Sequence, residues 1–320
     1  MLLITSSKFS ENLIENTKFS RKRPDFIITG FKNETKNYNT HTQLCQYYNS
    51  PIFDIYYYQL IVNKQVDLFL KSVSCKWLLF YLRSGKIDQV LIREKLLELP
   101  EKSALFSNNQ IGKTINITLN KDKYAFVCCN LKEAADTILL SYFLPLFEKS
   151  TIYPIIVNSI DFKTQVEWDK LFAPCEFSDL LSSHLMSQLQ VILSRFCFDY
   201  TSRINEHTIQ SQSERKIFVV KNIIDCYPFK QHTLMSLSIQ ANLNRQFIKL
   251  KFQAIFQKTT HQYIIEKRME YSRLLMETHL DYSVKQVSII CGFKKPQHFI
   301  RQFKKFHQLT PGQFKKNLIK

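Results

Sequence analysis

The chain has 320 residues, of which 45% are hydrophobic and 22% are charged, and its net charge is +17. This length is enough for two domains, and the composition excludes both a disordered chain and one built of membrane spans. Residues 213–320 hold 20 Lys and Arg against 6 Asp and Glu, which is +14 of the total. A charge confined to one third of the chain points to a polyanionic partner for that third, because a merely solubilising surface would mix the two signs.

Residues 1–50 are polar and have no clear hydrophobic period, so we expect loops or an irregular arm there. From residue 52 to about residue 130 the period is near two, and segments such as FDIYYYQLIV and KWLLFYLRS predict β-strands. Several short strands in one block favour a small β-barrel or sandwich. Six aromatic residues of this block either line a ligand cavity or belong to the core: Tyr56, Tyr57, Tyr58, Trp77, Phe80 and Tyr81.

Helices are predicted over about residues 132–203. The segment KEAADTILLSYFLPLFEK, residues 132–149, predicts one amphipathic helix, and a longer helix is predicted over residues 176–200. The longer helix carries an apolar stripe at helical spacing: Phe177, Leu181, Leu185, Leu189, Ile192 and Phe196. Because a stripe does not say whose core it enters, two interpretations stand. One is a homodimer through helix 176–200, and the other is packing against the chain's own strands.

The polar residues 205–213 have no apolar pattern and are the predicted linker between a domain over 1–204 and a domain over 214–320.

The stretch SVKQVSIICGFKKPQHFIRQFKK, residues 283–305, predicts a helix-turn-helix. Ser283 suits the N-cap of the first helix, and Gln286 stands where a capping-box partner belongs. Gly292 suits a turn that needs positive φ, and Pro296 suits the first position of a second helix. In such a motif the second helix enters the major groove of DNA.

The same pattern occurs about fifty residues earlier, in residues 233–263, with one residue gained in the later copy. The matched pairs are Leu234 and Val284, Leu237 and Val287, Ser238 and Ser288, Ala241 and Cys291, Leu243 and Phe293, Phe252 and Phe303, Thr259 and Thr310, and Tyr263 and Phe314. An internal repeat of this kind is stronger evidence than either copy alone.

The segment IIEKRMEYSRLLMETHLDYSVKQVSIICGFKKPQHFIRQFKKFHQLTPGQF resembles the C-terminal DNA-binding domain of the AraC/XylS family of transcription regulators. The residues in the family's order are Arg268-Met269, Leu274-Leu275, Gly292-Phe293, Phe299, Phe303-Lys304-Lys305 and Thr310-Pro311. The resemblance covers roughly residues 213–320. It implies an all-α domain of two helix-turn-helix motifs joined by a long helix. It further implies a strand-rich, cupin-like sensor and dimerisation domain with trailing helices before it, hence an α+β chain.

Side chains at the start and on the outer face of each recognition helix are expected to reach base edges, and family members contact bases at the same positions. The nominated base-reading residues are Arg245, Gln246, Lys249, Gln297, Ile300 and Arg301. Arg301 suits guanine and Gln297 suits adenine, whereas Leu250, at another family contact position, suits only an apolar contact such as a thymine methyl. The lysines expected on phosphates, each of which can equally be a solvated charge, are Lys285, Lys294, Lys295, Lys304 and Lys305.

The sequence therefore predicts a sequence-specific transcription regulator that binds double-stranded DNA. The resemblance implies activation by contact with RNA polymerase and a small-molecule effector at the N-terminal domain. No catalytic residue, metal site or cofactor is expected, and we expect a bacterial cytoplasmic protein that joins the nucleoid when bound to DNA. Two alternatives stay open: a non-specific architectural DNA-binding protein, and a DNA reader fused to an unrecognised N-terminal enzyme.

Overall fold

A computed structural model of the chain divides into two compact units, Met1–Ile160 with Thr164–Thr201, and Asp161–Lys163 with Ser202–Lys320. We call them the N-terminal unit and the C-terminal unit. The residues that the structure describes are 2–6, 28–72, 77–92, 95–108, 114–132, 135, 155–157, 160–173, 178–209 and 212–319.

The N-terminal unit is built on two antiparallel sheets. The strands of its described residues are β1 (Leu2–Ser6), β2 (Lys32–Asn37), β3 (His41–Asn49), β4 (Phe53–Val62), β5 (Val66–Ser72), β6 (Trp77–Ser84), β7 (Ile87–Ile92), β8 (Lys95–Leu99), β9 (Ser103–Asn108), β10 (Thr114–Leu119), β11 (Lys123–Leu131) and β12 (Ile155–Val157). One sheet has the order β1-β5-β10-β7-β8, and the other has the order β12-β9-β6-β11-β4-β3-β2. The predicted strand-rich block is therefore confirmed.

The two sheets pack face to face. Because successive side chains of a strand point to opposite faces, every second residue of the central strands enters the space between the sheets. One buried cluster joins Tyr58 and Phe80 of the seven-stranded sheet to Leu70 and Val90 of the five-stranded sheet. The six aromatic residues considered for a ligand cavity are all buried in the two cores of this unit.

The outer face of the seven-stranded sheet is covered by α1 (Phe162–Lys170) and α2 (Leu181–Ile209). Tyr81 of β6 stacks on Trp168 of α1, with ring centroids 4.7 Å apart. The described residues of the predicted stripe are all buried in the same cluster: Leu181, Leu185, Leu189, Ile192 and Phe196. The stripe therefore packs on the chain's own strands, which is the second of the two interpretations. Phe177 lies outside the described residues.

The prediction of loops or an irregular arm is wrong for the described residues of 1–50, because β1, β2 and β3 lie there, whereas residues 7–27 are outside the described residues. β3 pairs along its full length with β4, and several of its buried side chains are polar, namely His41, Gln43 and Gln46. Polar residues at buried positions hide the alternation that would have indicated a strand. β2 is an edge strand with mostly exposed side chains, so it has no apolar face to detect.

The helix predicted to end at Tyr200 continues to Ile209 and takes in five residues of the predicted linker 205–213. No glycine or proline stands between Pro174 and Pro228, so the sequence has no strong signal to end the helix earlier. The helix predicted over residues 132–149 falls almost wholly outside the described residues. Among the helices that are described, none combines the length and the apolarity needed to cross a membrane.

Leu189→Ala is expected to destabilise the N-terminal unit by roughly 2–5 kcal/mol, because Leu189 is fully buried between α2 and the sheet. Urea unfolding followed by tryptophan fluorescence reports this unit alone, since both tryptophans of the chain, Trp77 and Trp168, lie in its core. The matched control is Val191→Ala, whose side chain is 39% exposed and whose loss should cost less than about 1 kcal/mol. Equal effects of the two substitutions would contradict the packing of the stripe.

Candidate nucleic-acid interface

The C-terminal unit contains two helix-turn-helix motifs. Its described helices are α3 (Gln212–Cys226), α4 (Leu234–Ala241), α5 (Arg245–Phe256), α6 (Thr260–Thr278), α7 (Val284–Ile290), α8 (Pro296–His307) and α9 (Pro311–Ile319). The first motif is α4 with α5, the second is α7 with α8, and α5 and α8 are the two recognition helices. Each motif has its own apolar cluster, and α6 contributes to both.

The predicted internal repeat is confirmed by the helix caps. Thr233 and Ser283 each form a capping box at the start of their motif. Thr259 and Thr310 each accept a hydrogen bond from a backbone N–H in the first turn of the helix that follows the recognition helix, at 3.2 and 3.3 Å. Equivalent caps stabilise the starts of equivalent helices, so the two motifs have the same local structure.

The chain also turns in the same way in both motifs. Asn242 and Gly292, which end the first helix of each motif, have φ of +49° and +79°. Gln257 and Gln308, which end the recognition helices, have φ of +55° and +62°. The predicted positive φ at Gly292 is confirmed, and asparagine is the residue that best tolerates it elsewhere.

The outer faces of the recognition helices present every nominated base-reading residue to solvent. Phe299 and Phe303 are fully buried and fix which face of α8 points inward. The positions left on the outside include Gln297 and Arg301, one helical turn apart. The nominated residues that are exposed are Arg245, Gln246, Lys249, Gln297, Ile300 and Arg301, together with Lys285, Lys294, Lys295, Lys304 and Lys305.

Charged side chains of this unit separate into two groups. Ion pairs among its described residues include Lys221–Asp225, Lys258–Glu266, Lys267–Glu270 and Arg273–Glu277, with distances of 2.6 to 3.1 Å. Within the described residues, the nominated polar side chains make no hydrogen bond or ion pair. Asp225, Glu266, Glu270 and Glu277 are engaged in these pairs, and the recognition helices carry basic residues and no acidic ones, so their surfaces are positively charged. Such a surface attracts a polyanion.

A buried arginine joins the two motifs. Arg268 of α6 donates from Nε to the Pro228 carbonyl at 3.0 Å, from Nη2 to the Lys230 carbonyl at 2.8 Å and from Nη1 to the Gly292 carbonyl at 3.0 Å. Burial lowers the pKa of this guanidinium from its usual value, and the three carbonyl oxygens offset the cost of burying its charge. The turn of the second motif is thereby tied to the loop before the first.

Gly292 lies at the closest point of this junction. A Cβ added there would stand 2.3 Å from the Phe229 carbonyl oxygen and 3.1 Å from Nη2 of Arg268. Gln231 reinforces the junction, because its side-chain amide donates to the Gly292 carbonyl at 2.7 Å. No local sequence signal predicts this contact, since Gln231 and Gly292 are 61 residues apart.

The long helix α6 sets the distance between the motifs. Its 19 residues give a length of roughly 28 Å. This is close to one turn of B-DNA, about 34 Å, which is the separation of two successive major-groove segments on one face of the duplex. Two recognition helices at the ends of such a helix can therefore address neighbouring segments.

Comparison with known proteins supports this description of the domain. Residues 237–317 match the family model described as a helix-turn-helix domain. The xylose operon regulatory protein of Haemophilus influenzae is 32% identical over 74 residues, which are 23% of this chain and 19% of that protein. The transcriptional regulator MtrA of Neisseria gonorrhoeae is 26% identical over 105 residues, which are 33% of this chain and 34% of that protein.

Among solved structures, ToxT of Vibrio cholerae is 15% identical, covers 82% of this chain and 98% of its own, and has a TM-score of 0.32. The family-model match and the two curated relatives confirm the predicted helix-turn-helix DNA-binding domain at the C-terminus and its resemblance to the AraC/XylS family. The chain spans 19% and 34% of the lengths of the two curated relatives.

Gly292→Ala is expected to destabilise the C-terminal unit by on the order of 2–4 kcal/mol, because it adds a strained φ and a clash with a backbone carbonyl. Urea unfolding followed by far-UV circular dichroism measures the loss, while the fluorescence of the tryptophans in the other unit should keep its transition. Gly312→Ala is the matched control, since nothing lies within 4 Å of its added Cβ, and it should be neutral or slightly stabilising. A neutral Gly292→Ala would contradict the junction described above.

Proposed function

We propose that the chain is a sequence-specific DNA-binding transcription regulator that reads two successive major-groove segments with α5 and α8. The observation that carries the proposal is the paired set of exposed side chains on these helices, which have no partner within the described residues. Base edges and phosphates supply the acceptors and donors that these side chains lack. The match of the domain to two bacterial regulatory proteins supports the same function.

A non-specific architectural DNA-binding protein is the competing function. It would use the same positive charge but would not need Gln297 and Arg301 aligned on one exposed face of a recognition helix. The two functions separate in a selection from random duplexes with the full-length chain. Enrichment of a defined site with two recognised segments about one helical turn apart supports the regulator. Binding that depends on salt alone, with no enriched sequence, would refute it.

Three finer proposals concern control of transcription. Family resemblance favours an activator that contacts RNA polymerase in the bacterial cytoplasm. It also favours a small-molecule effector at the N-terminal unit.

A homodimer through α2 would need the face opposite the buried stripe. Val191 and Phe198 lie along that face, at 39% and 70% exposure, and their spacing of seven residues keeps them aligned on the helix. We propose this face as the surface of the dimer.

Arg301→Ala should weaken binding to the best site by roughly 1–3 kcal/mol and relax base preference at one position, while leaving non-specific binding nearly intact. The matched control is Arg273→Ala, because Arg273 has its own partner in Glu277 at 2.8 Å and should not read a base. Fluorescence anisotropy with the selected site measures specific binding, and the same experiment with a scrambled duplex measures non-specific binding. An equal loss on the two duplexes would remove Arg301 from the base-reading set.

Lys304→Ala should weaken binding to all sequences alike and lower the slope of log K against log salt by about 0.9, because one phosphate contact is lost. Lys221→Ala removes the same charge from a lysine already paired with Asp225 at 2.8 Å, and its slope should stay that of the parent chain. The measurement is a salt titration of binding to one duplex. If both variants keep the parent slope, Lys304 does not contact a phosphate.

A further inference from the structure

The two recognition helices can be compared residue by residue. Asn244 is the N-cap of α5 and Lys295 is the N-cap of α8, so equivalent positions differ by 51 in residue number. Phe252 and Phe303 are equivalent on this count, and both are fully buried. Since the same positions point inward in both helices, the same positions also point outward.

The second position of each recognition helix holds the same residue type. Gln246 is the second residue of α5 and Gln297 is the second residue of α8, and both are exposed. A glutamine in the first turn of a recognition helix suits adenine, because its amide can both donate to N7 and accept from the N6 amino group. The two helices thus offer the same adenine contact at equivalent places.

The fifth and sixth positions hold the same two kinds of side chain in opposite order. In α5 the order is Lys249 and then Leu250, and in α8 it is Ile300 and then Arg301. The apolar residues stay accessible, with Leu250 at 60% and Ile300 at 38% exposure. The basic residues are exposed and have no partner among the described residues.

Each kind of side chain favours one base. Lysine and arginine donate to O6 and N7 of guanine, and an aliphatic side chain packs on the methyl group of thymine. Neighbouring positions on the outer face of a recognition helix contact neighbouring bases. Exchanging the side chains at two such positions therefore exchanges the order of the preferred guanine and thymine along the DNA.

We infer, resting on the proposed function, a composition for the DNA site. Its two groove segments share an adenine contact made by Gln246 in one and Gln297 in the other. Each segment also has one guanine contact and one thymine contact, and the order of these two is reversed between the segments. The site is therefore two related but unequal halves, which fixes the direction in which the chain lies on the duplex.

The test is a selection from random duplexes with the full-length chain and with the double variant Lys249→Ile, Leu250→Arg, which gives α5 the order found in α8. The expected result is that guanine and thymine exchange order in the first segment, so that the two segments become alike. The double variant should then prefer the new site over the parent site by roughly tenfold to a hundredfold.

Two further variants keep the test decisive. Lys251→Gln gives α5 the residue equivalent to Gln302 without touching the exchanged positions, and it should leave the base order unchanged. The reciprocal variant Ile300→Lys, Arg301→Leu should exchange the order in the second segment, and it serves if the first double variant does not fold. An unchanged base order in a folded double variant would overturn the inference while leaving the regulator intact. A parent chain that enriches no sequence would instead refute the proposed function.

Discussion

The geometry of the DNA-reading domain depends on the guanidinium of Arg268. This group lies in a largely apolar junction, 5.5 Å from the ring of Phe293, where a charge without hydrogen-bond partners would cost several kcal/mol. The cost is offset because the guanidinium has three carbonyl acceptors, two before the first motif and one in the turn of the second. The N–H donors of the guanidinium lie in one plane, so the group can donate to these three carbonyls in one arrangement only. The contact therefore fixes a relation between two motifs that otherwise have separate cores.

Each motif determines the direction of its own recognition helix. Buried aromatic residues, Phe252 in one motif and Phe299 with Phe303 in the other, set the rotation of the helix about its axis. Caps at Thr233 and Ser283 set where each motif begins. Given these constraints and the junction at Arg268, the base-facing positions need no contact of their own within the chain. They can vary in chemistry without loss of fold, which is what a reader of DNA sequence requires.

The sequence predicted the C-terminal domain well because its signals are local. Caps, the turn at Gly292 and the spacing of the phenylalanines each depend on residues only a few positions apart. The N-terminal unit was predicted in outline only, because β3 buries His41 and Gln43 where apolar residues would be expected. The partners of non-local contacts were not identified from the sequence. Neither the carbonyl partners of Arg268 nor the sheet that receives the stripe of α2 can be found from a period in the sequence.

The most direct measurement of the central claim is the affinity of the full-length chain for its selected site when base pairs are inserted between the two segments. If the Arg268 junction and α6 hold α5 and α8 in a fixed relation, one inserted base pair should already weaken binding. Inserting half a helical turn of base pairs should reduce the affinity to that for a single segment, because the second segment then lies on the opposite face of the duplex. Affinity that tolerates these insertions would contradict the account, since the two recognition helices would then be joined flexibly or only one of them would read bases.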